Sequence, residues 1–136
     1  MFCEKRKKLI DKIKKAIEEE SLQNIEKDYI TKEYRDQKNG IYFLYNNDDI
    51  VIYVGMVGNG SDTSFAHRMY LHGSGAHKEE SWFEEAKKFR FKCFPELDKI
   101  QLQQLERLMI YAKHQPKYND CFVTETDMDN ILEKLL

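Results

Sequence analysis

Five side chains in this sequence are suited to chemistry: a pair of phenols, a guanidinium with an imidazole one helical turn on, and a carboxylate beside an apolar helix stripe. Tyr42 and Tyr53 sit in two adjacent β-rich runs, with ten residues between them. Arg68 and His72 are four residues apart, so on a helix they project from the same face. Glu106 falls at the border of an arc made by Leu102, Leu105, Leu108, Met109 and Ala112. A carboxylate at that position is partly desolvated and requires a cation or hydrogen-bond donors. Each feature alone has an ordinary explanation. Paired tyrosines are common cross-strand packing, and ordinary ion pairs at such a rim are commoner than metal sites.

The elements that must position these groups can be read from pattern. Gly40–Tyr45 and Ile50–Val54 are β-rich runs separated by Asn46-Asn47-Asp48-Asp49, a good turn sequence. Pairing Tyr45 with Ile50 predicts Leu44 opposite Val51, Phe43 opposite Ile52 and Tyr42 opposite Tyr53. One face then carries Ile41, Phe43, Tyr45, Ile50, Ile52 and Val54, and the other carries Tyr42, Leu44, Val51 and Tyr53. A loop at 56–60 leads to a short helix capped by Ser61, Asp62 or Thr63, running to about His72 and stopped by Gly73. Residues 79–88 read as helical, with Trp82, Phe83 and Ala86 inward. Phe89, Phe91 and Cys93 alternate with polar residues as a third strand, closed by Pro95. Asp98 caps a longer helix over 99–114, ended by Pro116.

Either side of this region the chain is mainly helical or polar. Residues 4–20 form an amphipathic helix through Leu9, Ile13, Ala16 and Ile17. Residues 21–38 read as a second short helix or a linker, and 127–136 as a last short helix. The organisation expected is an N-terminal helical extension (1–38), a central domain (39–120) and an acidic tail (121–136). The fold class is α+β, with a small three-stranded antiparallel sheet flanked by helices.

The 136 residues suit one domain with its own core, and 41% hydrophobic with 34% charged residues suits a soluble globular surface. No apolar run is long enough for a membrane span, and the N-terminus lacks a secretory pattern. Three scattered cysteines, Cys3, Cys93 and Cys121, read as reduced thiols in a cytoplasmic protein. His67, His77 and His114 read as surface residues. The net charge of −2 argues against a broad electrostatic clamp on nucleic acid. The tail carries much of that acidity, since residues 121–136 hold four acidic residues against one basic.

Gly40-Ile41-Tyr42, ten residues, then Tyr53-Val54-Gly55 resembles the signature of the GIY-YIG nuclease family. Arg68 with His72, Glu106 on a downstream helix, and Asn119 after Pro116 match the rest of that pattern in order. The resemblance spans about residues 39–120 and explains the tyrosines, the arginine and the glutamate jointly. It implies a metal-dependent endonuclease hydrolysing phosphodiester bonds, of DNA before RNA. Tyr42 and Tyr53 would lie near the scissile phosphate, one assisting deprotonation of the attacking water with His72 as helper. Arg68 would hold phosphate oxygens and Glu106 would ligate one Mg²⁺ or Mn²⁺. Asn119 would support the site by hydrogen bonding, and Gly55 would let the backbone pass close to it.

The residue types suit that reaction. A guanidinium offers paired donors to phosphate, and one carboxylate with waters suits Mg²⁺. A tyrosine is a poor base at neutral pH unless cations lower its pKa from near 10. Lys87 and Lys88, with Arg90 and Lys92, would guide the backbone. Met56 stands where many relatives carry lysine, and the stretch from Gly55 to Arg68 is long and glycine-rich. No base-reading module is recognisable, so targeting would fall to substrate structure, a protein partner or a second copy. The competing reading is a catalytically silent nucleic-acid-binding or interaction module of the same fold.

Overall fold

The hairpin at the centre of the sequence becomes the centre of an antiparallel sheet. The computed structural model describes residues 2–58, 64–73, 83–119, 123–124, 126–128 and 130–131, with the side chains of residues 2, 3, 5, 6, 27, 28 and 71–73 excepted. In chain order the elements are α1 (Phe2–Glu18), β1 (Gln23–Asn24), α2 (Lys27–Glu33), β2 (Gly40–Tyr45), β3 (Val51–Val57), α3 (Phe65–Gly73), β4 (Lys88–Cys93) and α4 (Lys99–Ala112). Residues 126–128 and 130–131 are also helical. α1 and α4 conform to expectation within a few residues at their ends. Among the described residues no helix is long and apolar enough to cross a membrane.

The α+β class holds, but the sheet has four strands, in the order β1-β4-β2-β3. The strand absent from the sequence reading is β1, where Gln23 and Asn24 pair with Phe89 and Lys88. Two polar residues carry no period of their own; their strand exists because β4 offers a free edge. The same edge explains why the helix expected over 79–88 does not extend to its end. The Lys87 N–H donates to the Tyr45 carbonyl and its own carbonyl accepts from Ile25 N–H, drawing the backbone into the sheet. What is described of that helix is a single tight turn at residues 83–85.

The register also differs from expectation. Tyr42 pairs with Gly55, Phe43 with Val54 and Leu44 with Tyr53, then a bulge brings Val51 opposite Tyr45. The cause lies in the turn. The Asn46 side chain accepts from the N–H groups of Asp48 and Ile50, at 2.9 and 3.1 Å. Asp49 takes a positive φ of 60°. Ile50 is consumed by this turn and left exposed, and the strand starts at Val51. A bulge puts two residues against one, so Ile52 changes sides. It packs with Tyr42 and Leu44, while Val51 packs against the opposite core.

Each face of the sheet has its own core. On one, Ile41, Phe43, Tyr45, Val54 and Met56 meet Leu102, Leu105, Leu108 and Met109 of α4 and Ile10 and Ile17 of α1. On the other, Tyr42, Leu44, Phe89 and Phe91 meet Ile30 of α2 and Phe65 and Met69 of α3. The segment read as an extension thus supplies residues to the same core as α4. Polar contacts fasten its C-terminal end: Lys113 pairs with Glu18 at 2.9 Å, and Arg90 donates to the Glu20 carbonyl and the Tyr45 hydroxyl.

Candidate active site

The bulged register determines how the two tyrosines meet. They are diagonal neighbours, with ring centroids 6.1 Å apart and planes inclined at 37°. Directly opposite Tyr42 is Gly55, and a Cβ built there would collide with Cζ and the hydroxyl of the Tyr42 ring. The glycine is therefore the space into which Tyr42 lies. Tyr42 is 1% exposed, while Tyr53 is only half-buried. Gly55→Ala is expected to destabilise the fold by about 1–3 kcal/mol through overpacking. Tyr42→Phe would not relieve it, because the ring remains, whereas Tyr42→Ala would; urea unfolding of the single and double variants measures the coupling.

Arg68 is carried by α3, which is fixed at its start. Ser64, and not the expected Ser61, Asp62 or Thr63, caps it: the Ser64 hydroxyl accepts from His67 N–H at 3.1 Å and its carbonyl from Arg68 N–H at 3.0 Å. Residues 61–63 lie outside the described residues. The first N–H groups of α3 are satisfied from elsewhere, Phe65 donating to the Gln37 carbonyl and Ala66 to that of Tyr34. Phe65, fully buried, lies among Tyr34, Tyr42, Phe89 and Phe91 at centroid distances of 4.8–5.2 Å. Arg68 itself is exposed, and its Nε donates to the Met56 carbonyl at 3.4 Å.

Glu106 comes from the opposite face, on α4. That helix starts where the sequence places it, with a capping box between Asp98 and Gln101. Glu106 is half-buried at the rim of the stripe, as expected. Burial raises its pKa from 4.5 to about 7, and the guanidinium of Arg68 acts in the opposite sense. The Coulombic influence on this carboxylate thus comes from a residue on the other side of the sheet. β3 is an edge strand of the sheet, and Arg68 reaches it through the Met56 carbonyl.

Asn119 reinforces the same edge. Its side-chain amide donates to the Val54 carbonyl and its oxygen accepts from Val54 N–H, both at 2.8 Å. One side chain thus satisfies both outward backbone groups of the residue between Tyr53 and Gly55. Next to it, Tyr118 N–H donates to the Ile52 carbonyl at 3.0 Å, and the Tyr118 hydroxyl donates to the Glu85 carboxylate. That bond, with Lys117 nearby, lowers the Glu85 pKa. Asn119→Ala is expected to cost about 1–3 kcal/mol by leaving the Val54 groups unpaired. Asn119→Asp, which keeps only the acceptor, should fall between; thermal unfolding checks both.

Tyr53 and Gly55 lie on β3, Tyr42 lies on the strand beside it, and Arg68 and Asn119 are bonded to its backbone, while Glu106 is on α4, which packs against β3. His72 lies in α3, but its side chain is outside the described residues. Lys87 and Lys88 are at the turn end of the sheet, Lys88 paired with Asp49 at 2.5 Å and Lys87 exposed. Sequence reasoning missed Ser64, Phe65 and Tyr34. The recurrence of Phe65 and Met69 four apart was the available signal for the buried side of α3. It also missed Asn39, whose buried amide donates to the carbonyls of Phe94 and Leu97 and holds β2 to the chain leaving β4.

No group of three or more His, Cys, Asp or Glu side chains arranged for a metal occurs among the described residues. A site built on Glu106 would rest on one carboxylate with waters filling the remaining positions, an arrangement Mg²⁺ accepts. Burial disfavours the ionised carboxylate of Glu106, and the Arg68 guanidinium offsets that only in part. In comparisons with protein-family models, curated proteins and solved structures, the chain matches none.

Proposed function

We propose that this protein is a metal-dependent endonuclease of the GIY-YIG kind, cleaving phosphodiester bonds of nucleic acid, with DNA the first substrate to test. The observation that carries the reading is the anchoring of Arg68 on the edge strand that bears Tyr53 and Gly55, with Tyr42 packed beneath, while Glu106 on α4 feels the charge of that guanidinium. A cation site, a phosphate-binding fork and phenolic oxygens are the groups that reaction needs.

In this reading Glu106 holds Mg²⁺ or Mn²⁺, which when bound supplies positive charge for the phosphate and the leaving oxygen. Arg68 grips phosphate oxygens with the terminal nitrogens of its guanidinium, while its Nε is anchored on Met56. Tyr53, half-buried, is the phenol that an attacking water can reach. Tyr42, packed under Gly55, fixes where Tyr53 stands. Asn119 holds the strand that carries both Tyr53 and Gly55.

The test is cleavage of supercoiled plasmid, single-stranded DNA and RNA with Mg²⁺ or Mn²⁺, by wild type, Glu106→Ala and Arg68→Ala. The proposal expects cutting by the wild type alone. Unchanged metal-dependent cutting by either variant, or no cutting by the wild type, rejects it; binding without cutting would leave a silent nucleic-acid-binding module.

A further inference from the structure

We propose that the outward face of α3, formed by His67 and Tyr70, is a stacking platform for an unpaired nucleobase beside the phosphate gripped by Arg68. The inference rests on the nuclease reading and names its substrate class: single-stranded or locally unpaired nucleic acid.

Tyr70 is 60% exposed, in a helix whose other aromatic ring, Phe65, is fully buried. Its ring is stacked with that of His67, also exposed, at a centroid distance of 6.4 Å and an interplanar angle of 24°. Among the described residues the other large exposed hydrophobic side chains lack this geometry. Tyr29 leans edge-on against Tyr34, and Ile50 and Ile100 have no ring face. Met69, between Arg68 and Tyr70, is the residue that seats this part of α3 on the sheet.

Position links the platform to the candidate site. Arg68 follows His67 directly, so their side chains leave the helix roughly 100° apart and about 1.5 Å apart along it. A strand whose phosphate lies on Arg68 therefore has its neighbouring base over the adjacent sector of the same helix. The charge balance favours this type of contact. A net charge of −2 argues against a broad electrostatic clamp on phosphates. Stacking on an aromatic face supplies affinity without net charge, and every base has a face to offer. In a duplex those faces are already covered by neighbouring bases, so the platform selects unpaired substrate.

The test measures binding without divalent ions, by fluorescence anisotropy of a labelled oligothymidylate and of a duplex of equal length. The proteins are wild type, Tyr70→Ala and Tyr70→Phe, with cleavage assayed separately in Mg²⁺. Tyr70→Ala is expected to weaken single-strand binding about tenfold or more, Tyr70→Phe to retain it, and the loss to persist at high salt. Equal single-strand affinity of wild type and Tyr70→Ala overturns the proposal, as does wild-type preference for duplex or failure to bind oligothymidylate. A wild type that cuts while Tyr70→Ala binds normally removes the platform and keeps the nuclease. A wild type that binds single strands through Tyr70 but cuts nothing keeps the platform and removes the nuclease.

Discussion

Glu106→Ala is expected to reduce metal-dependent cleavage by about 10²–10³-fold or more, the usual effect of deleting a group that stabilises transition-state charge. The folded protein should survive the change, because the carboxylate is a burden on the fold. Its pKa of about 7 lies well above 4.5, so between those values the folded state binds more protons than the unfolded one. Stability from this group is full below about pH 4.5 and is lost as the pH rises through about 7. The shift corresponds to at most about 3 kcal/mol. Glu106→Gln, which cannot ionise, should therefore be inactive yet more stable than wild type at pH 8, with little difference at pH 4. Urea denaturation at the two pH values, without divalent ions, measures this. Wild-type affinity for Mg²⁺ should fall about tenfold per unit below pH 7, because the ion competes with the proton. A pH-independent stability difference would show that Glu106 is not the desolvated acid described here.

Arg68→Ala should lower cleavage by about 10³-fold, within the range seen for an arginine supporting phosphoryl transfer. It has a second expected effect that a role in phosphate binding alone would not produce. Arg68 is the charge that restrains the rise in the Glu106 pKa, so its removal should move the midpoint of pH-dependent metal binding above 7. Arg68→Lys keeps the charge but loses the planar fork and the Nε bond to Met56. It should restore the titration of Glu106 more fully than it restores cleavage. Calorimetric titration with Mn²⁺ across pH, beside the cleavage assay, separates the two effects. An unchanged midpoint in Arg68→Ala would remove the electrostatic link between the two faces of the sheet.

The features legible in the sequence are those written in local pattern. The apolar stripe of α4 fixed Glu106 at its rim, Asp98 marked the start of that helix, and alternation identified the strands. What escaped depended on contacts distant in the chain or on a turn whose geometry had several solutions. Counting from the ends of the four-residue turn put Tyr42 opposite Tyr53, but the Asn46 side chain draws Ile50 into the turn and adds a bulge. That displacement set Gly55 opposite Tyr42, whose ring occupies the space a Cβ there would need. β1 escaped because a two-residue strand is defined wholly by its partner. The resemblance grouped Arg68 with Glu106, but it was not legible that the helices carrying them pack on opposite faces of the sheet. The strand order that makes β3 an edge is not written in any single element.

The pairing of Asn119 with Val54 has a consequence for the protein at high concentration. An open strand edge is a template on which another chain can add by backbone hydrogen bonding, the first step of sheet-to-sheet aggregation. On β3, Tyr118 and Asn119 occupy acceptors and a donor at Ile52 and Val54 that an incoming strand would need. The plug that steadies the strand bearing Tyr53 and Gly55 is thus also a guard against self-association.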